Sequence, residues 1–285
     1  MDIIDILEIL IAFSVPLITV ISVFISKKLV MKINVVNQSI YQLIFRIPFL
    51  IFAAIITWKY TDKLIPYIVV FGILDMITTV IYFWALKILD TTTFQLIGMS
   101  NIIITLFLGA IIGFEVIESK VILGIIIFVI AVYMVTNIKI TDIKGLSSNI
   151  EIIAIILKFV EIIIKAIKMF IIKELIVSGT GSNETIILLS TLIEFTLLLI
   201  VFRPKLDFKE IDSKAYIIQG LLTMLANAAM GYSMVAIGVV TLNTVRTSSV
   251  IMIALVYAII DKKLPTLKKN AGILLGTIGL IIIMS

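Results

Sequence analysis

Hydrophobic runs of about twenty residues recur along the chain and are separated by short polar segments. Runs of this length cross a bilayer as helices, because a helix satisfies its own backbone polar groups. The acidic start, with Asp2, Asp5 and Glu8, lacks the basic segment of a cleavable signal peptide, so we expect the first run to be a membrane span. The pattern predicts an all-α integral membrane protein with ten transmembrane helices, at about residues 4–26, 38–58, 65–86, 93–113, 120–138, 150–172, 183–202, 214–236, 242–260 and 270–284.

The sixth predicted span combines an apolar face with four charged side chains. Lys158, Glu161, Lys165 and Lys168 follow one another at intervals of three or four residues, so a helix places them on one face. Four such charges near the centre of a membrane helix cost roughly 10–14 kcal/mol, whereas the Ile, Leu, Val and Phe side chains of residues 150–172 contribute only about 4–9 kcal/mol. The helix therefore requires protein or water along its charged face.

Three interpretations of this charged face remain open. In the first, which we favour, the four side chains line a water-filled cavity, since ionisable residues inside a membrane generally mark a functional site. In the second, they pair with one another, because Glu161 lies three residues from Lys158 and four from Lys165. In the third, the helix lies flat in the membrane interface, which would remove it from the count of ten spans.

The two halves of the chain repeat the positions of several small, polar and charged residues. Shifts of 146 or 148 residues superimpose them without a gap, and the superimposed pairs include Gly72 with Gly220, Gly98 with Arg246, Gly124 with Gly272, and Thr19 with Lys165. Each half contains five spans, an odd number, so the halves lie in opposite orientations across the membrane. We therefore expect two five-helix inverted repeats, at residues 1–138 and 150–285, joined by a linker at residues 139–149.

This layout resembles the drug/metabolite transporter superfamily, in its EamA-like branch of ten-span transporters. Seven residues of the first half are similar to the family's pattern across the third to fifth spans: Ala85, Leu86, Gly113, Phe114, Glu115, Lys120 and Gly124. The second half keeps Gly272 and Gly279, but Lys263 stands where the first half has Glu115. The resemblance implies a membrane transporter rather than an enzyme.

We expect a central substrate cavity lined by spans 1, 3, 4, 6, 8 and 9. Its lysine and arginine side chains would attract an anionic or zwitterionic metabolite, and Arg246 is suited to hold a phosphate or carboxylate. Glu161 and Glu194 would balance the positive potential, and either could bind an amine or carry a coupling proton. The candidate substrate-binding residues are Asp75, Thr79, Tyr82, Gln95, Lys158, Glu161, Lys165, Lys168, Glu194, Asn227, Asn243 and Arg246.

Some polar residues also have a structural interpretation. Arg46 and Asp75 lie at matching depth on neighbouring spans, and we expect them to form a structural ion pair. Arg246 could instead extend its side chain to the membrane surface. Tyr82 could stack on a substrate ring or anchor its helix at the interface. Asn183, at the end of a flexible turn, is expected to cap the seventh helix.

Composition excludes several classes of function. The chain has no Cys and no His, which removes disulfides, thiol nucleophiles and the usual ligand sets of zinc, haem and iron–sulfur centres. We therefore expect no cofactor and no metal, and an enzyme would need a carboxylate cluster that the loops do not show. The net charge of +5 requires no nucleic-acid partner, because the cytoplasmic loops of membrane proteins are basic.

The loops also predict an orientation. Fourteen basic residues fall in the loops on one side of the membrane, and four fall on the side that holds the termini. The positive-inside rule then places both termini outside the cell. We expect the protein to reside in the cell (plasma) membrane. Spans 5 and 10 carry no internal charge, so we expect them to form scaffold or a homodimer surface. The predicted function is secondary-active transport of a small polar metabolite by alternating access, and the alternative is a non-transporting membrane subunit or receptor with the same fold.

Overall fold

The computed structural model describes residues 3–89, 91–112, 118–136, 149–208, 211–249, 252 and 267–284. Within these ranges the chain forms ten α-helices, one short 3-10 helix at Asp62–Leu64 and no strand, so the all-α prediction is confirmed. The helices are α1 (Ile3–Val30), α2 (Val35–Thr57), α3 (Ile65–Ile88), α4 (Thr91–Ile112), α5 (Ser119–Thr136), α6 (Asn149–Val177), α7 (Asn183–Phe202), α8 (Ser213–Ala236), α9 (Val239–Thr247) and α10 (Leu267–Met284). Each predicted span overlaps one helix, and most of the ninth span beyond α9 lies outside the described residues.

Length and hydropathy indicate that the chain is a membrane protein. Four segments of the described chain are long and apolar enough to cross a bilayer: Ile11–Val30, Val35–Thr57, Asp62–Ile88 and Asn183–Phe202. Shorter apolar helices lie at Ser100–Ile111, Ser119–Ala131 and Asn270–Ile283. Helix α6 is not among them, because charged residues are distributed along its whole length.

Polar residues at the helix starts bind the free backbone N–H groups there. The side chains of Asn34 and Asp212 accept from the N–H of Val36 and Ala215, at 2.9 and 3.1 Å, and so cap α2 and α8. The cap of α7 is Ser182, whose hydroxyl accepts from the N–H of Thr185 at 3.2 Å. The prediction that Asn183 caps this helix is therefore wrong by one residue.

The two halves of the chain interleave. Helix α1 packs on α8 and α9, α2 on α7 and α8, α3 on α6 and α7, and α4 on α6 and α9. Helices α5 and α10 pack on each other, and there a Cβ at Gly124 would lie 2.8 Å from the carbonyl oxygen of Gly279. A second close approach joins α2 to α8, since a Cβ at Gly220 would lie 2.5 Å from the carbonyl oxygen of Phe45. Both contacts depend on glycine, because any larger residue would separate the backbones.

The ends of α1 and α3 meet the starts of α4 and α6 in a buried apolar cluster. It is formed by Val30, Phe83, Ala85, Leu86, Leu89, Phe94, Ile97, Ala154 and Ile162. The ammonium group of Lys27 donates to the carbonyl oxygens of Leu86 and Leu89, which the last turn of α3 leaves without helical partners. Two of its members, Phe94 and Ile162, also line the polar site described next.

Candidate functional site

Helix α6 presents its apolar face outward and its charged face to the protein interior. Ile152, Ile156, Phe159, Ile163 and Ile167 are exposed, as expected of side chains that face lipid. The charged face is covered by α3 and α4, which pack along α6. The interfacial interpretation is not supported by this arrangement, because a helix lying in the interface would expose its charges to water.

Glu161 joins two lysines of the same helix. Its Oε2 lies 2.6 Å from Nζ of Lys158, and its Oε1 binds Lys165. Lys158 and Glu161 are buried, at 5 % and 1 % exposure, whereas the Lys165 side chain is 40 % exposed. The pairing expected from the sequence spacing therefore forms, but it leaves Lys165 accessible.

Two aromatic rings surround the buried ammonium group of Lys158. Its Nζ lies 4.3 Å from the ring centroid of Phe94 and 4.8 Å from that of Tyr82. The Nζ of Lys165 lies 5.0 Å from the same Tyr82 ring. Cations at these distances are attracted to the ring faces. Tyr82 is thus held between the two ammonium groups of α6.

These side chains border a partly open cavity of ≈ 110 Å³. It is lined from α1, α3, α4, α6 and the region of α9, by Thr19, Val23, Tyr82, Phe94, Gly98, Asn101, Lys158, Glu161, Ile162, Lys165, Met169, Arg246 and Ser249. Arg246 lies close enough to interact electrostatically with Glu161 and Tyr82. Among these lining residues, three cations face one carboxylate. The cavity therefore has a net positive charge and is suited to an anion.

Among the described residues, a Cβ at Gly98 would meet no heavy atom of a neighbouring element within 4 Å, so this part of the α4 surface is open toward the cavity that Gly98 lines. Gly98 is the residue that the sequence repeat superimposes on Arg246, and Thr19 is the one superimposed on Lys165. All four line the same cavity. The second half supplies a cation at both positions, and the first half supplies a small residue.

A second group of charged side chains lies outside the cavity lining, where α2, α3, α6 and α7 meet. Asp75 pairs with Lys168, and Nη2 of Arg46 donates to the Thr191 hydroxyl at 2.8 Å. The expected Arg46–Asp75 ion pair is therefore wrong, because Lys168 reaches the Asp75 carboxylate from α6. Glu194 is 1 % exposed, and the side chain of Thr79 lies beside it. We name Arg46, Asp75, Thr79, Lys168, Thr191 and Glu194 the interhelical cluster.

The remaining predicted site residues lie elsewhere. Asn227 is on α8, which does not reach the cavity, and its carbonyl oxygen accepts from the side chain of Asn183 at 2.9 Å. Asn243 is buried on α9, where its amide contacts the sulfur of Met169 at 3.7 Å. Gln95 belongs to α4, and its side chain lies outside the described residues. The cavity thus contains Tyr82, Lys158, Glu161, Lys165 and Arg246 from the predicted set.

Sequence reasoning did not identify Phe94 and Asn101 as cavity residues. Phe94 is one of many Phe residues in the apolar runs, and nothing in its neighbourhood distinguishes it. Asn101 carried a usable signal, because it is a polar residue inside an apolar span and lies three residues from Gly98, on the same face of α4. No group of three or more His, Cys, Asp or Glu suited to a metal ion occurs among the described residues.

Comparison with known proteins agrees with this architecture. Residues 6–137 match the model of the EamA-like transporter family. A solved crystal structure is similar over 96% of this chain and 95% of its own, with a TM-score of 0.73 and 15% sequence identity, a likeness that concerns the fold alone. No curated protein is similar enough to be matched. The resemblance seen in the sequence is thereby confirmed: residues 6–137, nearly half of the chain, are similar to the EamA-like transporter family of the drug/metabolite transporter superfamily.

Proposed function

We propose that the chain is a secondary-active transporter that moves a small anionic or zwitterionic metabolite by alternating access. The observation that carries this proposal is the net positive cavity between α1, α3, α4, α6 and α9. Ligand sites combine an apolar wall with a few polar groups that fix orientation, and this cavity has both. Thr19, Asn101 and Ser249 provide hydrogen-bonding groups, while Val23 and Met169 provide apolar surface.

Lys165 and Arg246 are the residues that would hold the anionic group. Lys158 is occupied by Glu161 and by two aromatic rings, so it contributes charge rather than direct contact. The Lys165 side chain is 40 % exposed and can bind both Glu161 and a substrate. The guanidinium of Arg246 can donate two parallel hydrogen bonds to a carboxylate or phosphate. The ammonium group of a zwitterion would be attracted to Glu161.

The packing of the helices supports an inverted repeat. If every helix is exchanged with the one five places further along, the pair α1–α8 becomes α6–α3, α2–α8 becomes α7–α3, and α1–α9 becomes α6–α4. Each of these pairs is a contact in the fold, and α2–α7, α4–α9 and α5–α10 are exchanged with themselves. Such a pattern is expected of two similar halves related by a two-fold axis, about which one half can move against the other.

The position of the cavity agrees with that axis. Thr19 and Lys165 are equivalent in the repeat, as are Gly98 and Arg246, and both pairs line one cavity. A site on the axis receives the equivalent positions of both halves. In this arrangement the backbone around the site has two-fold symmetry, but the cations come from the second half alone. The substrate would therefore bind in one preferred orientation.

The first experiment identifies the substrate. The purified protein is screened for thermal stabilisation by amino acids, nucleotides, sugar phosphates and polyamines, because a ligand that binds only the folded state raises the melting temperature. Stabilisation by anionic or zwitterionic compounds supports the proposal, and stabilisation by polyamines alone contradicts it. Each stabilising compound is then tested for saturable flux into proteoliposomes.

The second experiment tests the site. Replacing Arg246 or Lys165 by Gln removes a charge-assisted hydrogen bond worth about 1.5–3 kcal/mol, so the apparent substrate affinity should fall roughly 10–100-fold. Lys120→Gln is the matched control, because this exposed lysine pairs with Glu118 away from the cavity. Flux that is unaffected by both cavity variants would exclude this site. Binding without flux would favour a receptor or non-transporting subunit.

We also propose the membrane arrangement indicated by the loop charges, with both termini outside the plasma membrane. The residues of α5 and α10 that face away from their mutual contact include exposed Ile126, Ile130, Leu274 and Ile281, which are compatible with lipid or with a second copy of the chain. The same proposal includes the two repeats at residues 1–138 and 150–285, a homodimer formed through α5 and α10, and residence in the plasma membrane.

A further inference from the structure

The interhelical cluster contains a carboxylate that the substrate cavity does not use. Its two cations and two carboxylates come from four helices: Arg46 from α2, Asp75 from α3, Lys168 from α6 and Glu194 from α7. None of them is among the cavity-lining residues. The charges balance when all four groups are ionised. The cluster is therefore neutral, in contrast to the positive cavity beside it.

Within this cluster two groups have incomplete hydrogen bonding among the described residues: Nε of Arg46 and the carboxylate of Glu194, and Glu194 is the one that can take up a proton. Asp75 is paired with Lys168, and Arg46 is bonded to Thr191. Glu194 is 1 % exposed, the side chain of Thr79 lies beside it, and its Oε1 has no hydrogen-bond partner among the described residues. Arg46 and Lys168 face it as cations and Asp75 as a like charge, but none of the described cations forms an ion pair with Glu194. A buried carboxylate oxygen without a partner is costly, and one proton removes that charge.

Helix α6 links this carboxylate to the cavity. Lys168 lies three residues after Lys165, so the two side chains project from neighbouring turns of one face. Lys165 borders the cavity, and Lys168 holds α6 to α3 through Asp75. A change in the charge around Lys168 therefore acts on the same rigid element that contacts the substrate.

We propose that Glu194 is the binding site for a proton that is transported together with the anionic substrate. A proton on Glu194 gives the interhelical cluster one net positive charge, and an anion at Lys165 and Arg246 adds one negative charge a turn away. Together they leave the total charge inside the membrane unchanged, so each favours the binding of the other. The mutual attraction makes the doubly loaded protein the state that changes orientation. This inference rests on the proposed transport function.

Proton binding is tested without any substrate, by infrared difference spectroscopy of the protein in liposomes at acidic and alkaline pH. A protonated carboxyl group has a carbonyl band that the ionised form lacks. Above the background of the chain's other Asp and Glu residues, we expect one component of this band to be present in the wild type, absent in Glu194→Gln and retained in Glu184→Gln. Glu184 is a suitable control because it lies on the same helix but accepts a hydrogen bond from Thr57 at 3.0 Å. Identical spectra for the wild type and Glu194→Gln would overturn the proposal.

A second variant protects the test against a folding defect. Glu194→Asp keeps a carboxyl group but moves it, so the band should shift in frequency rather than vanish. If Glu194→Gln fails to fold, an unshifted band in Glu194→Asp overturns the assignment, and a shifted band supports it.

Coupling is tested with the proton as the second probe. The test uses proteoliposomes that show saturable flux of a compound from the screen. A pH gradient with the outside acidic and the inside alkaline should drive accumulation of that compound in the wild type and in Glu184→Gln. Glu194→Gln should retain exchange of labelled for unlabelled compound and lose the gradient-driven part. Accumulation that is independent of the pH gradient but is driven by a sodium gradient would overturn proton coupling. The proposed transport function would still be supported by that result. Absence of all flux would instead refute the proposed function, and the infrared test would still decide proton binding.

Discussion

Replacing Glu161 by Gln is the sharpest perturbation of the cavity, because this carboxylate holds two cations in place. The substitution keeps the shape of the side chain and removes its charge. Lys158, at 5 % exposure, then loses its partner while remaining buried. Lys165 also loses a partner, but its side chain is 40 % exposed and can be solvated in the cavity.

The structure sets the expected magnitude. Removing one partner of a buried ion pair destabilises a protein by about 3–5 kcal/mol, because the remaining charge is uncompensated. The rings of Phe94 and Tyr82 still contact the ammonium group of Lys158, and such contacts contribute about 2 kcal/mol when desolvated. We therefore expect Glu161→Gln to cost about 3 kcal/mol, at the lower end of this range. The corresponding loss for Lys165→Met is at most about 1 kcal/mol, since that pair is accessible to water.

The measurement is the apparent melting temperature of the purified protein in detergent, at one scan rate for all variants. A loss of about 3 kcal/mol lowers it by roughly 6–12 °C. The double variant Lys158→Met/Glu161→Gln removes both buried charges and should recover most of this loss, because neutral replacement of a buried pair is often tolerated. Equal losses for Glu161→Gln and Lys165→Met, or no recovery in the double variant, would refute this reasoning.

Three further predictions follow from particular contacts. Gly98 lines the cavity and a Cβ there meets no atom of the described neighbouring elements within 4 Å, so Gly98→Leu should fold normally but fill the cavity and abolish saturable flux; undiminished flux would contradict the cavity assignment. At Gly220 a Cβ meets the Phe45 carbonyl oxygen, so Gly220→Ala should cost about 1–3 kcal/mol and melt well below the control Gly98→Ala; equal melting temperatures would argue against the close approach of α2 and α8. The chain has no Cys, so Lys59→Cys should react with a membrane-impermeant maleimide on intact cells and Lys205→Cys only after permeabilisation; the reverse result would invert the proposed orientation.

The sequence predicts the helices and the direction of the α6 charges well, for a physical reason. A membrane helix with four charges at intervals of three and four residues has one face that lipid cannot accept, so that face must turn inward. The pairing of Glu161 with Lys158 and Lys165 follows from the same spacing and needs no knowledge of other helices. Local geometry along one helix is enough for both predictions.

Contacts between helices are harder to predict. Arg46 and Asp75 lie at the same depth on α2 and α3, but depth does not fix the direction in which each side chain points. In the structure Lys168 of α6 takes the Asp75 carboxylate, and Arg46 turns toward Thr191 on α7. The rotation of each helix about its axis is set by packing against several neighbours. A hydropathy pattern alone does not contain that information.

The charges of α6 are better explained by function than by stability. A buried ion pair generally stabilises a fold no more than apolar side chains of similar volume do, so Lys158 and Glu161 provide no structural benefit that Leu or Met could not. Arg246 and Lys165 add two further cations to one small cavity without a second carboxylate among its lining residues. That excess of positive charge destabilises the fold, because like charges in a medium of low dielectric repel strongly, and a bound anion would relieve the repulsion. Under the function proposed above, an anionic substrate supplies the missing negative charge.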